Sequence, residues 1–167
     1  MEAAQKYIPA GVTGVHASER EGDIYEYFEK CEMLGSKYLC RRTYNRKING
    51  ETAINDYIDG LAAAGELTVH IPRDSHAKRP AREAKLSVKF GETEILRSAN
   101  LKMTDEHSLE KLTVYVVSAV EKDAPPNVKE PISWQLITNM PVSNFDGAVE
   151  KIDWTQNAGA PRIFTTR

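Results

Sequence analysis

The chain has 167 residues, enough for one ordinary domain with a real core, and its 41% hydrophobic and 28% charged content excludes a disordered polypeptide. A net charge of −2 argues against a dedicated nucleic-acid binder. No apolar run reaches the roughly 18 residues of a membrane span, the N-terminus lacks the apolar block of a signal peptide, and Cys31 and Cys40 form no metal-type pair, so the expectation is a reduced, cytoplasmic chain without structural zinc.

In chain order, Val12, Val15 and Ala17 read as a short buried strand, followed by a charged turn at Ser18–Glu21. A strand end is where α/β folds usually place their chemistry. Asp23 stands near the start of a helix whose Ile24, Tyr27, Phe28, Cys31 and Leu34 give one apolar face, with Gly35 as its C-cap. Lys37 to Arg42 reads as a strand with Tyr38 and Cys40 on one face and Leu39 on the other, and 44–50 as a loop. Thr52 is placed to cap a short helix with Ile54, Tyr57, Ile58 and Leu61 as its stripe.

From Glu66 the period changes to two. Leu67, Val69 and Ile71 alternate with polar partners, and so do Ala84, Leu86, Val88 and Phe90. Gly91 is expected to turn the chain into Thr93–Leu96, and residues 97–111 read as a polar loop. Leu112–Val120 and Ile132–Thr138 are the strongest strands, joined through a proline-rich connection. Residues 66–138 thus predict a small antiparallel sheet. Ser143 or Asn144 then caps a helix with Phe145, Ala148, Val149 and Ile152 on its face, and after Trp154 the pattern stops.

Charge is segregated along this order. Residues 19–32 carry six acids against Arg20 and Lys30, residues 37–50 carry five bases and no acid, and residues 73–89 carry six bases against Asp74 and Glu83. An acidic strand end beside basic strips suits a metal-dependent enzyme acting on DNA. It equally describes solvated helix and loop faces, and charge alone favours that plainer account.

Three segments carry more specific information. They are Glu19-Arg20-Glu21-Gly22-Asp23-Ile24-Tyr25, then Tyr38-Leu39-Cys40-Arg41-Arg42 with Asn45-Arg46, and Glu130-Pro131-Ile132-Ser133-Trp134-Gln135 through Val142 followed by Ile152-Asp153-Trp154. In this order and spacing they resemble the DDE transposases of bacterial insertion sequences, the insertion-sequence-four group, over residues 12–154. The first is similar to that family's Asp-Arg-Glu-x-Asp-Ile signature.

The resemblance implies an α/β (α+β) chain, a partial RNase H-like fold interrupted by a mainly antiparallel β insertion. It divides the chain into 1–50 (the second-carboxylate half of the core), 51–142 (the β-rich insertion), 143–154 (the start of a catalytic-Glu helix) and 155–167 (an out-of-frame tail). It implies DNA transposon ends as substrate and Mg2+ or Mn2+ as cofactor. Three carboxylates would hold two such ions, which prefer hard oxygen ligands, for in-line attack on a phosphodiester.

Set against the family pattern, the chain departs at each carboxylate. The first Asp would belong to a strand upstream of residue 1. Glu19, the implied catalytic and metal-binding position, replaces the second Asp, and its extra methylene displaces the carboxylate by about a bond length where catalytic geometry tolerates roughly 0.5 Å. The late-helix Glu is missing after Trp154. Restoring one T after the Trp154 codon allows 155–166 to be re-read as Tyr-Thr-Lys-Arg-Trp-Gly-Ala-Glu-Asp-Phe-His-Asn, close to the family's Tyr-Thr-x-Arg-Trp-x-Ile-Glu-x-Phe-His. The expectation is a truncated, frameshifted transposase fragment without catalytic activity, lacking the family's end-recognition and dimerisation regions, cytoplasmic, and nucleoid-associated if it binds DNA.

The remaining residues have two readings each. Arg41 and Arg46 match DNA-phosphate contacts of the family, with Arg42 and Lys47 beside them, or are exposed bases on a strand end and loop. Trp134 matches a tryptophan that stacks on a flipped base, worth about 1–3 kcal/mol, or is a core residue of an alternating strand. Glu21 and Asp23 are substitute metal ligands or, the better reading, acids of a helix N-terminal turn favoured by the dipole. Arg73–Lys89, with His76, Lys78, Arg79 and Arg82, reads most simply as a solvated loop and otherwise as a strip holding flanking DNA. His16 and His70, with no second histidine at ligand spacing, read as structural residues rather than metal ligands. The alternative to a dead enzyme is a non-catalytic DNA-binding or interfering remnant, or one that never accumulates.

Overall fold

A parallel strand pair opens the fold. In the computed structural model, which describes residues 14–49, 51–73, 80–97, 109–126 and 128–156, β1 (Val15–Ser18) lies beside β2 (Lys37–Arg41). Val15 stands opposite Lys37 and Ser18 opposite Cys40. A parallel pair needs a long crossover, supplied here by a 3-10 turn (Arg20–Gly22) and helix α1 (Tyr25–Met33). The helix stops where Gly35 takes a φ of 61°. There Ser36 N–H donates to Cys31 O and Gly35 N–H to Glu32 O, the paired bonds of a Schellman cap.

The buried face of α1 differs from the expected one. Tyr25, Phe28, Glu29 and Cys31 are buried, whereas Ile24 is 47% exposed. The reason is a second neighbour that helical period could not show. Tyr25 Oη donates to the Leu109 carbonyl at 2.7 Å, and the Glu29 carboxylate accepts the Leu109 N–H at 2.6 Å while pairing with Arg97.

The chain continues through β3 (Lys47–Ile48), β4 (Thr52–Ala53), α2 (Ile54–Gly60), β5 (Gly65–Ile71), β6 (Arg82–Leu96), β7 (Lys111–Glu121), β8 (Ser133–Thr138) and α3 (Phe145–Gln156). Among the described residues the eight strands make one mixed sheet in the order β1-β2-β8-β7-β6-β3-β4, with β5 also on β6. The chain is therefore mixed α/β. Since β8 pairs antiparallel with both β2 and β7, the β-rich stretch is continuous with the parallel pair. Asn139 secures that junction: its Oδ1 accepts Tyr38 N–H at 3.0 Å and its Nδ2 donates to Ser36 O at 2.9 Å.

Both faces of the sheet are covered, by different helices. One core joins Phe28 and Cys31 of α1 and Ile54 and Ile58 of α2 to Tyr38, Ile48, Ile95 and Val114. Burying Ile48, Ile54 and Ile95 completely stabilises the fold by about 1.5–3 kcal/mol each. The other core joins Ala148, Ile152 and Trp154 of α3 to Leu39, Leu86, Val88 and Leu136. The expected division of β2, with Tyr38 and Cys40 opposite Leu39, is present.

This arrangement removes the expected turn at Gly91. β6 runs unbroken for 15 residues, and Gly91 pairs with Val116 inside a constant register from Leu86↔Glu121 to Leu96↔Lys111. Ala84, Leu86 and Val88 are buried against the α3 side, whereas Ile95 is buried against α1 and α2. The alternation changes phase because the covered face changes. Sequence shows that phase change as an interruption.

Helix ends also differ in detail. Thr52 lies in β4 and makes no cap bond, and Lys89 Nζ instead holds the far end of α2 through Ile58 O (3.2 Å) and Asp59 O (2.8 Å). Asn144 caps α3 by accepting Gly147 N–H at 2.8 Å. That helix runs two residues past Trp154, with Thr155 buried and its hydroxyl donating to Ile152 O. Val12, the bases His76, Lys78 and Arg79, most of 97–111 and the tail 157–167 lie outside the described residues. Among the described residues no helix is long and apolar enough to cross a membrane.

Candidate acidic and basic cluster at a strand end

Glu19 follows directly on β1, and its carbonyl accepts the Gly22 N–H at 2.9 Å to close the 3-10 turn. The β1–β2 register, with Ser18 opposite Cys40, carries Glu19 to the side of Arg41. Their side chains form an ion pair at 3.6 Å, the Glu19 side chain being 56% exposed. Cys40 Sγ donates weakly to Glu19 O at 3.4 Å. Burial pushes the Cys40 thiol up to about 11, so it stays protonated and unreactive near neutral pH.

Asp23 departs from the expected role. It does not serve the α1 N-terminus, whose cap position is Ile24 without a side-chain bond. Its carboxylate is fully buried and turned to the β2–β3 loop. Oδ2 accepts the consecutive N–H groups of Thr43 (2.6 Å) and Tyr44 (2.9 Å), Oδ1 pairs with the Arg46 guanidinium, and Arg46 also donates to Asp23 O at 2.9 Å. Successive backbone N–H groups form an anion-binding concavity, and here this chain's own carboxylate fills it. Glu21 is exposed.

The basic residues are held unequally. Arg46 is 17% exposed, committed to Asp23 and seated over the Phe28 ring at 5.6 Å. Arg42 donates to Tyr44 O (3.0 Å), Asn55 Oδ1 (2.7 Å) and Gln135 Oε1 (3.4 Å), and burial pushes its guanidinium below the usual value. Arg41 is 27% exposed and Lys47 is exposed. The structure thus gathers Glu19, Asp23, Arg41, Arg42 and Arg46 at one strand end. It does not bring Trp134 to them: that residue stands opposite Ala119 and packs, partly buried, against the α3-side core.

Two further polar groups went unread in the sequence. Glu29 with Arg97 ties α1 to the β6–β7 end, and Glu121 takes the Arg82 guanidinium and the Ile132 N–H. The available signal was an acid in phase with an apolar strand face, as Glu121 follows Tyr115, Val117 and Ala119 at alternate positions, whereas Glu29, with Glu26 and Glu32 three residues to either side, gave none. A buried acid there requires a partner.

A two-ion phosphodiester site needs several converging carboxylates. Among the described residues no group of three His, Cys, Asp or Glu side chains is placed to hold a metal ion. Glu19 offers one exposed carboxylate already facing Arg41, and the oxygens of Asp23 are engaged by loop donors. The described residues do not fit such a centre.

No family model and no curated protein matches this chain.

Proposed function

We propose that the chain is a fragment of an insertion-sequence-four-type DDE transposase with a partial RNase H-like core, catalytically silent as it stands. The observation that carries this reading is the position of Glu19-Arg20-Glu21-x-Asp23-Ile24 at the carboxyl end of a parallel strand, where it turns into the crossover helix. α/β folds set their reactive groups at such ends, and the resemblance assigns this one to the second of three carboxylates. Glu in place of Asp, with no converging acids among the described residues, supports the silent state.

The coding sequence tests descent. Codons after Trp154 that cannot be re-read in the restored frame would sink the frameshifted-fragment reading. A nicking and strand-transfer assay with the purified chain, Mg2+ or Mn2+ and a transposon-end duplex tests silence. No product is expected, and robust cleavage would overturn it.

A DNA-binding remnant is favoured by one feature, the exposure of Lys47 on β3 together with the part-exposed Arg41 at the end of β2. Such contacts attract phosphates without reading sequence. Gel shifts across a salt series decide this: affinity lost steeply with salt and equal for unrelated duplexes is the expected pattern.

A further inference from the structure

One end of the acidic signature meets the last residue of β2 and the other an arginine of the loop that follows it. Glu19 faces Arg41, and Asp23 faces Arg46. The first pairing follows from the parallel register, since residues 19 and 41 each lie one step beyond the Ser18↔Cys40 pair. The second is built into the loop itself, where Asp23 also collects the Thr43 and Tyr44 N–H groups and Arg46 returns a bond to Asp23 O. A guanidinium and a divalent cation compete for the same carboxylate face, because two cations at contact distance repel.

We infer that this strand end is a metal-independent electrostatic clamp, in which Arg41 and Arg46 balance the acids and tie β2 and the loop 42–46 to the turn that joins β1 to α1. The inference rests on the proposed function for the origin of the acids and adds what they do in this chain. Asp23 is the centre of the clamp and Glu19 its outer, weaker contact, as burial of the one and 56% exposure of the other require. The loop is then held without any bound ion.

The test uses the full chain, stripped with a chelator and returned to buffer with or without MnCl2. The expected result is an unchanged thermal midpoint, no protein-bound Mn2+ signal by electron paramagnetic resonance, and slow hydrogen exchange at the Thr43 and Tyr44 amides in the metal-free protein. A midpoint raised by Mn2+ overturns the inference if Glu19→Gln abolishes the rise. A site saturated at 100 times its Kd would give a rise of about 5–10 °C. Thr43 and Tyr44 amides that exchange as fast as unstructured ones also overturn it, and that measurement needs no variant. Manganese at Glu19 would sink the clamp and leave transposase descent standing, whereas codons that cannot be re-read after Trp154 would do the reverse.

Discussion

The side chain of Tyr57 lies across the β6 backbone at Gly91, so closely that a β-carbon on residue 91 would stand 2.4 Å from the tyrosine oxygen. Tyr57 Oη donates to Glu92 O at 2.7 Å, which fixes the ring over the strand. Glycine is needed here for close approach, not for a turn. Gly91→Ala is expected to destabilise the fold by about 1–3 kcal/mol through overpacking. The cost should shrink in a Tyr57→Phe background, a coupling that urea unfolding of the double-mutant cycle measures. Equal costs in both backgrounds would show that Tyr57 is not what excludes the side chain.

Removal of the Asp23 carboxylate leaves two backbone N–H groups and a mostly buried guanidinium without their acceptor. Asp23→Ala is expected to cost about 3 kcal/mol, the low end for a broken buried pair because Arg46 keeps some contact with water. Glu21→Ala, on an exposed side chain of the same turn, should stay within about 0.5 kcal/mol. Denaturant midpoints of the two variants compare them directly.

The carboxyl of Glu121 is held below its ordinary range by the Arg82 guanidinium, with the Ile132 N–H adding in the same direction and burial opposing. A depressed folded value means that the unfolded chain binds the proton first. The pair's stabilisation is therefore complete above the unfolded value, about 4.3, and is lost as pH falls through the lower folded value. Urea midpoints measured from pH 7 down to pH 3 should decline at the acid end. Glu121→Gln should lower the neutral-pH midpoint and flatten that decline, and a variant with an unchanged acid slope would exclude Glu121 as a source of it.

On the DNA-binding reading, Lys47→Glu should weaken duplex binding for all sequences alike and reduce the slope of log affinity against log salt by about one unit or more. Arg46→Gln should act instead through folding, because its guanidinium is spent on Asp23. Fluorescence anisotropy with a labelled duplex, read beside circular dichroism of each variant, separates the two effects. An Arg46→Gln protein that is fully folded and defective only in binding would contradict this assignment.

Most elements were legible as local pattern. Gly35 marked the end of α1 because few residues but glycine adopt a positive φ cheaply, and Tyr38, Leu39 and Cys40 could be divided between faces because strand side chains alternate. Of the candidate site, the register brought Glu19 to Arg41, but the role of Asp23 was hidden. Its partners lie 20 to 23 residues away. Nothing in the local sequence distinguishes a buried loop acceptor from an acid that favours a helix start.

Local periodicity by itself determined most of the strands and helices, since those depend on backbone preference and on one-sided burial within a few residues. It did not determine the two-residue strands β3 and β4, which fall where a loop and a helix cap were expected, nor the continuity of β6. Only the tertiary structure decided which face of each was covered. β6 is buried on the α3 side as far as Val88 and on the α1–α2 side at Ile95, so one straight strand carries two phases of alternation. Only the tertiary structure, likewise, set Asp23 against the Thr43–Arg46 loop, because the partner of a buried charge is chosen by chain packing across distances that no sequence period spans.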